Sequence, residues 1–284
     1  MIVIRDIKKM QEVSARLKIK GSSIGFVPTM GALHEGHLSL IRRARKDNDV
    51  TVVSIFVNPA QFGPGEDLKK YPRPLKRDLE LCRKEDVDFV FNPSVKDMYP
   101  KGFAAFVEVE GLSGCMCGAS RPGHFRGVGT VVAKLINIVG CRTAYFGKKD
   151  AQQSIIIKKV VSDLNIPVKI VVLPTIREID GLAMSSRNAY LSAQERQEAL
   201  VLSQSLRLAQ VLIKSGTRDV HKIKQKVRAL IEGNSSARVD YIAIVDPGTL
   251  APLRIIRGCA LVALAARFGN TRLIDNIEVR SKNA

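Results

Sequence analysis

The chain contains no tryptophan, and aromatic residues make up only 5% of its 284 positions. That scarcity argues against the basic–aromatic interleaving by which many proteins hold nucleic acid. No apolar run approaches the length of about 20 residues that spans a bilayer. No repeat or low-complexity segment is present. The five cysteines (Cys82, Cys115, Cys117, Cys141 and Cys259) are odd in number and widely scattered. Cys115-Met-Cys117 has neither zinc nor thioredoxin spacing, so idle thiols in a reducing compartment are expected. The opening Met1-Ile-Val-Ile-Arg-Asp6 lacks a basic region followed by an apolar signal core, and the expectation is a cytoplasmic protein. Acidic residues are also short in supply. Lys and Arg total 45 against 27 Asp and Glu, a formal charge of +18. Such a field attracts anions, whether nucleotides, carboxylates, nucleic acid or acidic membranes. The basic residues are spread through predicted helices with no arginine-rich tail, which reads as a basic solvated surface.

What is present is an ordinary globular composition, 45% hydrophobic and 25% charged, with short apolar runs alternating with helical periodicity. Ile2–Ile4 precedes a helix from Ile7 to Leu17. Ile24–Val27 reads as a buried strand ending at Pro28, which has no N–H for a sheet ladder. Gly31 and Gly36 lie in the turn after it, and from about Leu38 the spacing of Leu38, Ile41 and Ala44 is helical. Val50–Val57 is a continuous run dominated by β-branched residues and reads as a strand buried on both faces. The breaker-rich loop Asn58–Gly65, helix Leu75–Glu85 and strand Val87–Phe91 follow, and Phe106–Val109 is predicted as another strand. A glycine-rich loop leads to a helix ending at Val139. Strand Thr143–Phe146, turn Gly147–Asp150, helix Ala151–Leu164 and strand Val168–Leu173 continue the alternation. This predicts an α/β fold with a mostly parallel, Rossmann-like sheet in residues 1–175, its ligands at the carboxyl ends of the strands. After Pro174 the texture changes. The capping box Ser192-Ala-Gln-Glu195 opens one helix, a second spans Val220 to Leu230, and strands are expected at Val239–Val245 and Ala260–Ala266. A smaller α+β domain is therefore expected over residues 176–284.

Chemistry concentrates where the first turn meets its helix. His34 and His37, two of only four histidines, are three residues apart and can share one face of the first helical turn. Unpaired N–H groups and the positive end of the helix dipole make that turn a phosphate site. Further Cys or His ligands at usable spacing, which zinc would need, are not apparent nearby. His34-Glu-Gly-His37 resembles the HxGH signature of the nucleotidylyltransferase and class I aminoacyl-tRNA synthetase superfamily. The longer string Phe26-Val-Pro-Thr-Met-Gly-Ala-Leu-His-Glu-Gly-His37 is similar to one family within it, the pantoate–β-alanine ligases, and later segments extend the likeness over nearly the whole chain.

That resemblance implies an ATP-binding stretch of Met30, Gly31, Ala32, Leu33, His34, Glu35, Gly36 and His37. It adds Gly147, Lys148, Lys149 and Asp150, then Ile176, and finally Met184, Ser185, Ser186 and Arg187, the counterpart of the mobile KMSKS loop. His34, His37, Lys149, Ser185, Ser186 and Arg187 are the implied catalytic set, offsetting phosphate charge with hydrogen-bond donors and cations. Gln61 and Gln153 are assigned to pantoate and β-alanine. Asp78 is the implied acidic residue toward Mg²⁺ carried by ATP, although Arg77 stands where many members have a second acid. Lys148 likewise replaces a residue that is more often acidic or an amide. Arg121 and His124 either line the rim or anchor a loop. The implied reaction is ATP-dependent condensation of pantoate with β-alanine through pantoyl adenylate, by a homodimer that uses no membrane or nucleic acid. Two other readings stay open on sequence alone. One is a nucleotidylyl transferase with another acceptor, and the other is a basic nucleic-acid-binding protein motivated by +18.

Overall fold

The structure is a computed structural model that describes residues 1–281. The last three positions of the expected second domain lie outside the described residues. The chain divides into two compact units. The first holds residues 1–114, 121–148 and 153–174, and the second holds 115–120, 149–152 and 175–281 of the described chain.

The first unit is built on a six-stranded sheet, all of it parallel, in the order β1-β4-β3-β2-β5-β6. Its strands are β1 (Ile2–Ile4), β2 (Ile24–Thr29), β3 (Val50–Ile55), β4 (Phe89–Phe91), β5 (Thr143–Gly147) and β6 (Lys169–Leu173). Helices α1 (Ile7–Ile19), α2 (Glu35–Asp47), α3 (Leu75–Lys84) and the short α4 (Val95–Met98) follow in turn. Beyond α5 (Cys117–Ser120), which belongs to the second unit, come α6 (His124–Val139) and α7 (Ala151–Asp163). β3 is buried along almost its whole length, as a β-branched strand covered on both faces should be. Val27, Leu38, Ile41, Ala44, Val53, Val90 and Tyr145 pack into one cluster that fastens α2 to the sheet.

The strand order reverses at β2. The chain winds outward through β3 and β4, then returns to place β5 on the other side of β2 and β6 beyond it. In such sheets the reversal opens a crevice at the carboxyl edge. Here Pro28 contributes to that opening. β2 runs to Thr29, two residues past the predicted end, because its flank toward β3 stays paired out to Thr29 and Ile55. Ile24 accepts from the Arg142 N–H, so Ile24, Phe26 and Pro28 turn their polar groups toward β5. Pairing with β5 stops at Phe26. The missing N–H of Pro28 is thus on the one flank where the ladder has ended, and β2 and β5 part there.

Phe106–Val109 is not a strand. The Val107 N–H donates to Thr130 Oγ1 at 2.9 Å, so this segment is satisfied by α6 and not by a ladder. Arg126 stacks on the half-exposed Phe106 ring at 3.8 Å.

The second unit is a three-stranded antiparallel sheet with helices. It contains β7 (Arg238–Val245), β8 (Cys259–Phe268) and β9 (Thr271–Arg280) in the order β7-β8-β9. The expected first helix is two pieces, α8 (Ala193–Glu198) and α9 (Leu200–Lys214), followed by α10 (Val220–Asn234). The Ser192–Glu195 capping box forms in both directions. Leu202, Leu206, Ile213, Ile223, Val227 and Ile231 bury one face of the sheet through Val262, Leu264, Phe268 and Leu273. β9 was not expected from the sequence. Among the described residues no helix is long and apolar enough to cross a membrane.

Candidate active site

α2 begins at Glu35, not near Leu38, because the histidines themselves cap it. His34 is the N-cap residue, and its Nδ1 accepts from the Gly36 N–H at 3.2 Å. His37 Nδ1 accepts from the His34 N–H at 3.4 Å, and the ring centroids are 4.1 Å apart. A backbone N–H can only donate, so each Nδ1 is unprotonated and each imidazole carries its proton on Nε2. The cap therefore selects the tautomer. Each ring presents an N–H donor beside the positive end of a helix dipole, which is what phosphate oxygens require. Glu35 is drawn aside into an ion pair with Arg42, which also grips Glu85 at 2.6 Å.

The turn before the helix is held from beneath. Gly31 (φ +80) and Ala32 (φ +50) are both left-handed, and Ala32 pays the steric penalty for it. Thr29 Oγ1 accepts from the Gly31 N–H at 3.1 Å and donates to the Ser54 carbonyl at 2.7 Å. Asp78, only 1% exposed, takes the N–H of Ala32 on Oδ2 (2.9 Å) and that of Leu33 on Oδ1 (2.8 Å). Burial raises its carboxyl above the ordinary value, against the opposing pull of the Leu33 and Ala32 N–H groups and of Arg77. With both oxygens engaged and the group out of solvent, the carboxylate shapes the turn.

Gln61 ends a 3-10 turn, Pro59–Gln61, in the predicted loop after β3. Its side chain is clamped. Asn58 Nδ2 donates to Gln61 Oε1 at 3.0 Å and to the Gly127 carbonyl at 3.1 Å. Asn58 Oδ1 in turn accepts from Tyr99 Oη at 2.7 Å. Burial pushes the Tyr99 phenol up to about 12, so it remains a donor at neutral pH. Gln61 Nε2 lies 3.2 Å from Met30 Sδ, which brings the pantoate candidate to the signature turn. The backbone is fastened as well. Arg121 can only donate, and its NH1 meets His124 Nε2 at 3.0 Å, so His124 holds its proton on Nδ1 and donates to the Gln61 carbonyl at 2.8 Å. Arg121 also forks onto Glu66 at 2.7 and 2.6 Å. Burial would raise Glu66, but the Arg121 guanidinium outweighs it and the carboxyl lies below its usual value. Arg121 and His124 are thus loop anchors, and His124 also lines a cleft of about 200 Å³ beside Gln61.

This docking needs a glycine. A Cβ on Gly127 would stand 2.2 Å from the Ala60 carbonyl oxygen and 2.7 Å from Gln61 Cα, both backbone atoms. Gly127→Ala is expected to lower the unfolding free energy by about 1–3 kcal/mol, as overpacking does. A denaturant titration measures it, and an unchanged midpoint would contradict this packing.

Gly147 and Lys148 lie at the carboxyl end of β5, on the crevice edge. Gln153 is in the first turn of α7, with no hydrogen bond between it and Gln61 among the described residues. Lys149 and Asp150 group with the second unit, as do Ile176 and Met184–Arg187. There the Met184 N–H donates to the Ile176 carbonyl at 3.0 Å, and Arg177 bridges Ala183, so these residues form the base of a narrow turn. Ser185 Oγ accepts from the Arg187 N–H at 3.3 Å and caps the 3-10 turn Ser186–Tyr190. A hydroxyl that accepts in this way keeps its O–H for donation. Among the described residues no group of three or more His, Cys, Asp or Glu is placed to hold a metal ion.

Asn58, Tyr99 and Gly127, which set Gln61, were not singled out from the sequence. The available signal is the Asn58-Pro59 pair, a turn initiator one residue ahead of the glutamine.

A doubly wound sheet with a histidine-capped helix at its switch point defines a nucleotide-binding α/β protein. The profile of the family described as pantoate-beta-alanine ligase matches residues 2–278. A pantothenate synthetase of Pseudothermotoga lettingae is 52% identical over 276 residues, 97% of this chain and 98% of the relative. The crystal structure of pantothenate synthetase from Thermus thermophilus superposes with a TM-score of 0.92 at 45% identity, covering 98% of this chain and 99% of that one. A pantoate-beta-alanine ligase from Francisella tularensis, complexed with beta-gamma ATP and beta-alanine, superposes with a TM-score of 0.82 at 38% identity, covering 98% and 97%. The chain belongs to the pantoate–β-alanine ligase family.

Proposed function

We infer that this protein condenses pantoate with β-alanine, using ATP, in two steps. A pantoate carboxylate oxygen attacks the α-phosphorus, pyrophosphate leaves, and pantoyl adenylate results. The β-alanine amine then attacks the acyl carbon, giving pantothenate, AMP and a proton. The observation that carries this reading is the pair of Nε2–H donors fixed by the cap of α2, in a chain of this family. No covalent link to the protein is required. Its work is to align reactants and to offset charge gathering on the phosphates. His34 and His37 donate to phosphate oxygens, and Lys149, Ser185, Ser186 and Arg187 add cations and hydroxyl donors. Met30–His37, Gly147–Asp150, Ile176 and Met184–Arg187 make up the ATP-binding set. Residues 1–175 act as the nucleotide and pantoate domain, and residues 176–284 as the bearer of the second phosphate motif.

ATP enters as its Mg²⁺ complex, the ion held by phosphate oxygens and water, as is usual for magnesium. Asp78 supports the turn under the phosphates and is the acidic residue assigned toward that ion. The protein works in the cytoplasm as a homodimer, in keeping with its family.

Gln61 and Gln153 hold pantoate through its hydroxyls and carboxylate. Gln61→Leu leaves polar groups of the bound acid unpaired at about 1–3 kcal/mol each. Calorimetric titration should register weaker pantoate binding with ATP affinity unchanged. Equal loss of both affinities would mean that Gln61 is structural and would remove it from the pantoate site.

A further inference from the structure

β9 carries two adjacent polar residues at its centre, where an apolar strand would be expected. Asp275 is 2% exposed. It lies on the same strand face as Leu273, Ile277 and Val279, which pack into the core of the second unit. Its two oxygens accept from both terminal nitrogens of Arg177, at 2.6 and 2.9 Å, a forked pair. Arg177 follows Ile176 directly, and its NH1 also donates to the Gly181 carbonyl at 3.1 Å, closing the turn that delivers Met184–Arg187. The next residue, Asn276, alternates to the opposite face and donates Nδ2 to the Lys149 carbonyl at 2.7 Å. Asp275 Oδ1 accepts from the Asn276 N–H at 2.8 Å, so the two grips are tied together.

An ion pair with one partner buried, as Asp275 is against the part-exposed Arg177, adds little stability over well-packed apolar residues of the same volume. Here one interrupts a row of leucine, isoleucine and valine, and its neighbour holds a backbone carbonyl of another phosphate-binding segment. The arrangement makes sense as a device for geometry. We propose that Asp275 and Asn276 are positioning residues for ATP: through Arg177 and the Lys149 carbonyl, β9 holds the Lys149 turn and the Met184–Arg187 segment in fixed register as one phosphate-handling assembly. This rests on the assignment of Lys149 and Ser185–Arg187 to the phosphates.

The test uses the full-length enzyme and compares the two half-reactions. Asn276→Leu keeps the size of the side chain and removes the donor without adding charge. It should raise KM for ATP about tenfold in pantoate-dependent pyrophosphate exchange, the scale of one lost hydrogen bond. KM for pantoate should not change, nor should the rate of pantothenate formation from added pantoyl adenylate and β-alanine. Asn276→Ala should behave alike, and it carries the test if the leucine variant does not fold. The paired replacement Arg177→Met with Asp275→Leu should also raise KM for ATP while the protein remains folded. Lys149→Ala and Arg187→Ala are measured alongside. If those two leave exchange intact, the phosphate assignment itself is wrong. If they depress exchange while the Asn276 variants leave KM for ATP unchanged, or slow both half-reactions equally, the positioning role is wrong.

Discussion

His37→Ala lowers kcat for pantothenate formation by about 10²–10³-fold, the loss of about 3 kcal/mol of transition-state stabilisation that follows removal of one preorganised oxyanion donor. The expectation comes from the tautomer. His37 Nδ1 is occupied by the His34 N–H, so the group that can meet a developing phosphate charge is Nε2–H. The same bond is a helix cap, whose loss alone costs about 1 kcal/mol of stability. His37→Asn separates the two effects. An asparagine oxygen can accept from the His34 N–H, as the N3 side chain of a capping box does, but it places no donor where Nε2 was. The asparagine variant should regain the melting temperature and not the rate. If it regains the rate, the histidine matters as a cap. If the alanine variant keeps kcat/KM, neither role holds.

Arg187→Ala depresses pyrophosphate exchange and overall synthesis together, by about one to two orders of magnitude, the range for a lost hydrogen bond from a charged group. Adenylation is the step in which charge passes to the departing pyrophosphate, and a guanidinium fork suits its oxygens. Exchange of labelled pyrophosphate into ATP needs enzyme, pantoate and Mg²⁺ but no amine if adenylation comes first. The variant should therefore fail in exchange without β-alanine, while amine attack on supplied pantoyl adenylate proceeds. Loss confined to amine attack would reverse the assignment. A strict requirement for β-alanine in exchange would overturn the ordered scheme.

Much of the first unit is legible in the sequence because local signals and tertiary context agree. β3 is β-branched and lies buried between neighbours. Gly31 of the signature turn stands where left-handed backbone demands a glycine. The histidine spacing placed both rings on the first turn of α2 but gave no hint that they cap it, because imidazole is not among the usual capping side chains. Pro28 reads as a stop in the sequence, since a missing N–H normally ends a ladder. Its strand continues because only one flank is affected.

What stayed hidden depends on partners distant in the chain. Asp78 lies 46 and 45 residues from the N–H groups it accepts, and no local pattern reveals that. β9 was missed because Asp275-Asn276 reads as turn-forming and both residues are poor strand formers. Ten residues of pairing with β8 override that preference. The residues that concealed the strand are those that grip Arg177 and the Lys149 carbonyl, and conflict between local preference and fold is expected where function is carried.

Attack of a pantoate carboxylate oxygen on the α-phosphorus of ATP is the step on which the reaction turns. Pantoate labelled with ¹⁸O in its carboxylate, incubated with the enzyme, MgATP and β-alanine, tests it by mass spectrometry of the products. The oxygen that bonds to phosphorus must leave with it when the amine displaces AMP. One ¹⁸O is expected in the phosphate of each AMP and one in pantothenate, with AMP, pyrophosphate and pantothenate in equal amounts. Unlabelled AMP, or ADP and inorganic phosphate in its place, would contradict it.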